Sequence, residues 1–184
     1  MGSVAVARMP QRVARSRQGS SIGMSIVREA AALGPALAKA FNHDNQVMVE
    51  QYLKGREITV GVIGNDQPEA LPLVEIIPDS KYEFFDYEAK YQPGASREVC
   101  PAEVSEAIRN KAQGYGLTAH RALQLRGYSR TDMIISNDEV YLLETNTIPG
   151  MTPTSLLPQA AAARGLPFPA LLDRLVELAL EPRG

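Results

Sequence analysis

Cysteine, tryptophan and histidine are scarce in this chain of 184 residues, and the scarcity excludes several kinds of site. The single cysteine, Cys100, excludes an internal disulfide and suits a reducing cytoplasm. With only two histidines, His43 and His120, a histidine-built zinc site or a Ser-His-Asp triad has few candidate residues. No apolar run approaches the roughly 18 residues needed to span a bilayer. A net charge of -2 gives no electrostatic footprint for nucleic acid. We therefore expect a cytoplasmic protein without membrane or nucleic-acid partners.

The overall composition is that of an ordinary soluble globular protein, with 45% hydrophobic and 22% charged residues. A chain of this length can form one domain or two small ones, each with a hydrophobic core. Residues 1–18 are rich in arginine and contain no acid, a composition also seen in organellar transit peptides. We prefer to interpret this segment as a frayed or disordered remnant of a preceding strand.

Apolar periodicity and turn signals predict the other regular elements. The predicted helices are residues 30–41, in which Pro35 could mark the first turn, 101–125, 155–164 and 169–180, and the predicted strands are 24–28, 47–50, 57–63 and 70–77. His120 falls inside a predicted helix, where a packing or surface role is the simplest interpretation.

The segment from Gly127 to Met151 predicts a β-hairpin, because two runs rich in β-branched and aromatic residues flank the turn-prone residues 136–139. If residues 137–139 form a three-residue loop, Asp132 lies opposite Glu144, and Arg130 lies opposite Asn146. Residues two apart on a strand share a face, so all four side chains would lie together. A two-residue loop would instead place the two carboxylates on opposite faces.

Paired carboxylates in this register have a chemical consequence. Directly opposed residues lie roughly 4.5–5.5 Å apart at Cβ, so the two negative charges repel unless a cation lies between them. Clustered oxygen ligands are what Mg²⁺ prefers. The alternative is a hairpin with a charged face in solvent, which is common because Asp and Glu are usually exposed.

Three sequence runs carry a resemblance to a known family. The hairpin gives Arg130-x-Asp132 and then Leu-Leu-Glu-x-Asn-x-x-Pro-Gly-Met-Thr, ending at Thr152, and a separate run reads Asp-Tyr-Glu-Ala-Lys-Tyr over 86–91. Together with the loop Gly-Ser-Ser-Ile-Gly at 19–23, these runs resemble the D-alanine–D-alanine ligases of the ATP-grasp superfamily. The resemblance covers about residues 13–184. It implies an α+β ATP-grasp fold, with an incomplete central subdomain at 1–57 and a carboxy-terminal domain at 58–184.

The resemblance also implies a role for each matching residue. The implied activity is ATP-dependent joining of two D-alanines through an acyl phosphate, for peptidoglycan precursor synthesis, with two Mg²⁺ ions that Mn²⁺ could replace. The implied metal ligands are Asp132, Glu144 and Asn146. The implied catalytic residues are Ser20, Lys90, Tyr91, Arg130 and Gly150. The implied nucleotide-binding residues are Ser21, Glu50, Tyr52, Leu53, Glu57 and Lys90. The implied D-alanine-binding residues are Arg130, Gly150 and Ser155.

The sequence departs from the family pattern at two points, and these departures suggest an alternative function. A phosphate-binding lysine is expected at Ala14, and Arg15 is offset by one residue, which directs it to the other face of a strand. The family's amino-terminal substrate domain is also absent from this sequence. The alternative is therefore an inactive truncated remnant that at most binds MgATP. The family pattern allows a homodimer, and the Tyr-Glu-Ala-Lys-Tyr run favours a dipeptide product over an ester.

Overall fold

A computed structural model describes residues 10–15, 23–78 and 96–182, and these residues form two compact units. Among the described residues, the first unit contains those up to Leu53 together with Pro78, and the second contains residues 54–77 and 96–182. Within the described ranges, no helix is long and apolar enough to cross a membrane.

The first unit is a three-stranded antiparallel sheet with one helix. Its strands lie in the order β2-β1-β3, and a short 3₁₀ turn at residues 30–32 leads into the helix. The bounds are β1 Gln11–Arg15, β2 Ser25–Val27, α1 Leu33–Phe41 and β3 Val47–Gln51. Pro35 lies in the first turn of α1, as predicted. Within the segment interpreted as a frayed strand, the described residues form β1, which is hydrogen-bonded to a strand on each side.

The alternation along β1 decides which residues share its open face. Val13 is fully buried and packs with Ala36 and Ala40 of α1, so it lies on the helix-covered side. Arg12 and Ala14 lie on the opposite side, and Arg12 is paired with Glu50 on the neighbouring strand. The open face of β1 therefore carries the Arg12–Glu50 ion pair beside the alanine that replaces the expected lysine.

The second unit is a six-stranded sheet with helices on both faces. Five strands follow the order β7-β6-β4-β8-β9, and β5 pairs with β4 off this path. The strands are β4 Arg56–Ile63, β5 Glu69–Ala70, β6 Val74–Pro78, β7 Ser96–Val99, β8 Tyr128–Ser136 and β9 Glu139–Asn146. The helices are α2 Glu106–Ala122, α3 Leu156–Ala163 and α4 Phe168–Leu180.

Two hydrophobic clusters hold these helices to the sheet. Helix α2 covers one face, where Ile58, Val60 and Met133 are at most 1% exposed. Helices α3 and α4 pack through Leu157 and Leu171 on a second cluster that includes Ile63 of β4. Successive residues of β4 and β8 therefore face opposite sides of the sheet. Those that do not face α2 can contribute to a site.

Two predicted elements have different bounds in the structure. The helix predicted from Pro101 begins only after Ser105, whose side chain accepts a hydrogen bond from the Ile108 amide at 3.3 Å. Such N-capping satisfies a backbone donor that the helix leaves unpaired. Residues 101–104 instead follow the sheet, where the Ala102 amide donates to the Leu73 carbonyl at 2.8 Å. The single strand predicted at 70–77 is two strands, β5 and β6, separated by residues 71–73.

His120 has a packing role. It is 1% exposed at the end of α2, and its Nδ1 lies 2.8 Å from Ser129 Oγ of β8. Burial lowers the pKa of His120, and the Arg121 charge lowers it further, while the Gly64 backbone acts in the opposite direction. The buried imidazole therefore links the helix to the sheet.

Two glycines of α2 are expected to respond oppositely to alanine. A Cβ on Gly116 would lie 2.9 Å from Val60 Cγ1, in the fully buried core, whereas one on Gly114 meets nothing within 4 Å. Gly116→Ala should therefore destabilise the protein by about 1–3 kcal/mol through overpacking. Gly114→Ala should stabilise it by about 0.5–1 kcal/mol through helix propensity. Urea unfolding measures both. A loss of stability in Gly114→Ala would contradict the open space at Gly114, and a gain in Gly116→Ala would contradict the close contact with Val60.

Candidate active site

The hairpin between β8 and β9 closes with a two-residue loop. Ser136 pairs with Glu139, so the loop consists of Asn137 and Asp138, both in the left-handed region with φ of 51° and 59°. Two successive positive φ values are the signature of a type I′ turn, whose twist matches that of paired strands. The predicted three-residue loop is therefore wrong.

A β-bulge restores the register that the shorter loop would have lost. Met133 lies opposite Leu142 and Asp132 opposite Glu144, so Leu143 is the extra residue of β9. Without it, Glu144 would lie opposite Thr131 and on the α2 side of the sheet. The predicted pairing of Asp132 with Glu144, and of Arg130 with Asn146, is confirmed, although by a different route.

We call Arg130, Asp132, Glu144 and Asn146 the acidic face. Its most ordered part is a bidentate ion pair on β8. Arg130 Nε donates to Asp132 Oδ1 at 2.9 Å, and its Nη2 donates to Oδ2 at 2.8 Å. Both side chains are mostly buried, at 17% and 22% exposure, which strengthens a charge-assisted pair relative to one in water.

The charges around Arg130 keep it cationic. Burial lowers the pKa of Arg130, but the hydrogen bonds and charge of Asp132 outweigh it, helped by the charges of Glu144 and Glu98. The net direction is a raised pKa. A permanently charged guanidinium with three neighbouring carboxylates is therefore a fixed feature of this face.

Glu144 and Asn146 are held less tightly than Asp132. Glu144 is exposed and makes no hydrogen bond or ion pair with the residues that the structure describes. Asn146 Oδ1 accepts a hydrogen bond from the Ile148 amide at 3.0 Å, which shapes the chain as it leaves β9. An amide oxygen has two lone pairs, so one remains for another ligand.

These donors suit a hard divalent cation. They are two carboxylates and one amide oxygen, which is the oxygen chemistry that Mg²⁺ prefers. Asp132 Oδ1 accepts two hydrogen bonds, whereas Oδ2 accepts one and keeps a lone pair. No group of three His, Cys, Asp or Glu side chains suited to a metal occurs in the described ranges, so the amide of Asn146 is needed to complete the set.

A second polar group lies just beyond the hairpin, at the start of α3. Ser155 is the N-cap residue of α3, and its Oγ accepts from the Thr152 amide at 3.1 Å and lies 2.8 Å from Thr152 Oγ1. The position of a Cβ on Gly150 would be 3.0 Å from the same oxygen. The structure thus brings Gly150 and Ser155 together, and a helix N-terminus favours a carboxylate.

The predicted nucleotide-binding residues are divided between the two units. Glu50 lies on β3, and Tyr52 and Leu53 follow it in the first unit, while Glu57 lies on β4 of the second. The Tyr52 amide donates to the Pro10 carbonyl at 3.0 Å. Four further predicted residues lie outside the described ranges, namely Ser20, Ser21, Lys90 and Tyr91.

Sequence inspection missed three residues that support the site. Thr59 of β4 donates from Oγ1 to Asp132 Oδ1 at 2.7 Å. Gln159 of α3 donates to Glu98 of β7 and, at 2.7 Å, to the Thr154 carbonyl, which ties the start of α3 to the sheet. Only Thr59 had a signal, since it is a polar residue in a strand that is otherwise almost wholly apolar.

The antiparallel sheet flanked by helices has the ATP-grasp fold of the solved ligase structures that it matches, and one of its hairpins carries an arginine, two carboxylates and an amide. The chain belongs to the family described as "D-ala D-ala ligase C-terminus", which matches it over residues 3–177. A D-alanine–D-alanine ligase from Syntrophobacter fumaroxidans is 58% identical over 173 residues, covering 94% of this chain and 56% of the relative.

Solved structures agree with this assignment. The crystal structure of VanG D-Ala:D-Ser ligase from Enterococcus faecalis is 35% identical, with a TM-score of 0.83 over 94% of this chain and 50% of that one. A D-alanine–D-alanine ligase from Bacillus anthracis, complexed with ATP, is 29% identical, with a TM-score of 0.78 over 98% of this chain and 57% of that one. The chain thus spans about half the length of the relatives it matches.

Proposed function

We propose that this chain carries the metal- and substrate-binding part of an ATP-dependent D-alanine–D-alanine ligase, which joins two D-alanines through an acyl phosphate for peptidoglycan precursor synthesis. The observation that carries the proposal is the acidic face, where a bulge sets Glu144 opposite Asp132 and Asn146 opposite Arg130. A solvated hairpin needs neither the bulge nor a mostly buried ion pair, so the arrangement favours a functional site over a merely charged surface.

The reaction sets two electrostatic demands. A carboxylate oxygen is a poor leaving group, so it is first phosphorylated, and negative charge then builds up on the oxygen of the tetrahedral intermediate that forms when the second amine attacks the carbonyl carbon. Asp132, Glu144 and Asn146 would hold Mg²⁺, which when bound supplies positive charge to the phosphates of the nucleotide. The predicted positions for the nucleotide are Ser21, Glu50, Tyr52, Leu53, Glu57 and Lys90, and Ser20 and Tyr91 are the further predicted catalytic positions.

Arg130 is suited to stabilise the developing negative charge. Its Nε and Nη2 are occupied by Asp132, but Nη1 makes no hydrogen bond with the described residues. The bidentate contact fixes the guanidinium plane, so the free nitrogen is already oriented and little side-chain entropy is lost when an anion binds. In this proposal the Gly150 amide would provide the second donor to the oxyanion.

Ser155 is suited to bind the carboxylate of the second D-alanine. Its hydroxyl accepts from the Thr152 amide and shares a second hydrogen bond with the Thr152 hydroxyl, so its proton is available to a carboxylate when Thr152 is the donor between them. The start of α3, although Pro158 lacks an N–H group, adds a partial positive charge at the same end of the helix. Binding there would direct the amine of the second substrate toward the acyl phosphate.

The decisive test is release of ADP by the purified 184-residue chain with MgATP, with and without D-alanine. We expect release that requires D-alanine and yields D-alanyl-D-alanine by mass spectrometry. Glu144→Gln should reduce the rate by on the order of 10²–10³, because it removes a charge from the metal site. Glu139→Gln is the matched control, since Glu139 lies on the same strand but is paired with Lys111.

The other outcomes are equally informative. Binding of MgATP without ADP release contradicts ligase activity of this chain alone and favours the remnant that Ala14 suggests. Equal losses in Glu144→Gln and Glu139→Gln would contradict the metal site, because only Glu144 belongs to the acidic face. A product formed with D-serine or D-lactate in place of the second D-alanine would revise the proposed substrate and leave the chemistry unchanged.

A further inference from the structure

The structure contains a buried hydroxyl beside the acidic face that none of the proposed roles uses. Thr59 is 1% exposed in the middle of β4 and lies directly opposite Asp132 of β8. Its Oγ1 is 2.7 Å from Asp132 Oδ1 and 3.1 Å from the Thr131 carbonyl. A hydroxyl has one proton to donate, and the carboxylate is the nearer and more strongly charged acceptor.

The position of this hydroxyl is fixed by the core. The neighbours of Thr59 along the strand, Ile58 and Val60, are at most 1% exposed and pack under α2. Strand β4 is paired on both sides, with β6 and β8, so it has little freedom to move. The β-branched side chain of threonine is also stiff at χ1. Thr59 is therefore a rigid donor that the sheet aims at one oxygen of Asp132.

We propose that Thr59 is a positioning residue that selects which oxygen of Asp132 faces the metal ion; this inference rests on the proposed function. Together, Thr59 and Arg130 Nε occupy both lone pairs of Oδ1. Among the described residues, Oδ2 accepts only from Arg130 Nη2, which leaves a lone pair for a cation. Glu144 has no comparable support from that part of the chain, so Asp132 is the pre-oriented ligand and Glu144 the adjustable one.

The hydrogen bond from Thr59 also does not depend on Arg130. If Arg130 turns toward a substrate anion, the Thr59 hydroxyl still holds Asp132 in place. Donors behind metal ligands have this effect in general, and their removal costs on the order of tenfold to a hundredfold in metal affinity.

The test combines three substitutions with two measurements on the full chain. Thr59→Val keeps the branched shape and removes the donor, and Thr59→Ser restores it. Thr131→Val removes another buried hydroxyl, which bonds Thr145 on the opposite side of the sheet. Mn²⁺ affinity is measured from the paramagnetic broadening of backbone amide signals in β8 and β9. We expect about tenfold weaker binding in Thr59→Val, with the parent value retained in the other two.

The second measurement is independent of the metal. Thr59→Val should raise the unfolding equilibrium constant about fivefold in the parent and leave it nearly unchanged in an Asp132→Ala background. If Thr59→Val fails to fold, Thr59→Ala replaces it in both measurements. Parent-like Mn²⁺ affinity in Thr59→Val overturns the proposal, as does an equal loss in Thr59→Ser or Thr131→Val. If the parent chain binds no Mn²⁺, the metal site itself is overturned. If the unfolding measurements still show coupling between Thr59 and Asp132 in that case, their hydrogen bond has only a structural role.

Discussion

Under the proposed function, Asp132→Asn is expected to reduce D-alanine-dependent ADP release by on the order of 10³ and also to weaken the fold, whereas Glu144→Gln should reduce ADP release alone. In the parent, both oxygens of Asp132 accept hydrogen bonds from Arg130, and Oδ1 also accepts from Thr59. Asparagine has one acceptor in place of two and presents its amide N–H groups to a donor. Arg130, which is only 17% exposed, would then lose half of its bidentate partner.

The expected sizes follow from these contacts. Removing one partner of a fully buried ion pair costs about 3–5 kcal/mol of stability. Because this pair is partly exposed, we expect a loss of about 2 kcal/mol. Nearby Glu144 and Glu98 also stabilise the charge left on Arg130. ADP release should fall by on the order of 10³, because a metal ligand and the orientation of Arg130 are lost together.

Urea unfolding and D-alanine-dependent ADP release, measured on the same preparations, separate the two variants. The exposed Glu144 side chain makes no hydrogen bond or ion pair with the described residues and acts on Arg130 only through its charge, so Glu144→Gln should unfold nearly like the parent. An Asp132→Asn protein as stable as the parent would mean that the ion pair contributes nothing in solution. A Glu144→Gln protein that loses as much stability would mean that Glu144 has a structural role that the contacts do not reveal.

The acidic face can be predicted from the sequence because its four residues lie close together in the chain. Alternation along two neighbouring runs places Arg130 with Asp132 and Glu144 with Asn146, and a short turn brings the strands together. The prediction of the loop failed because a type I′ turn needs only Asn137 and Asp138, both of which tolerate positive φ. The bulge at Leu143 then restores the pairing that the shorter loop would have shifted. The sequence gives no sign of this bulge, because Leu143 follows Leu142 and looks like any other apolar strand residue.

Long-range contacts explain what sequence inspection missed. Thr59 reaches Asp132 across 73 residues of chain, and periodicity within either strand cannot reveal that pairing. Similarly, Gly114 and Gly116 both weaken a helix by propensity, yet only Gly116 is required for close approach, because Val60 lies against it. Helix propensity and packing are separate terms, and the second depends on which strand the helix crosses.

Gly55→Ala is expected to produce the largest loss of stability of any single methyl group added to this chain's second unit. Gly55 directly precedes β4, and a Cβ there would lie 2.1 Å from the Ile135 carbonyl oxygen and 2.7 Å from Ile134 Cγ2. The nearest obstacle is backbone on a paired strand, which cannot rotate away as a side chain can. Relief requires β4 and β8 to separate, and these strands carry Thr59 and Asp132.

We expect Gly55→Ala to lose about 3 kcal/mol or more, a size typical of severe overpacking. The melting temperature should fall by roughly 6–12 °C for a chain of this size. Amide hydrogen exchange should show the loss of protection first along β8, beside Ile135. Gly114→Ala provides the control, since it adds the same methyl group where nothing lies within 4 Å. Parent-like protection in Gly55→Ala would mean that the chain entering β4 can move without opening the sheet. A change at Gly55 would then leave the acidic face undisturbed.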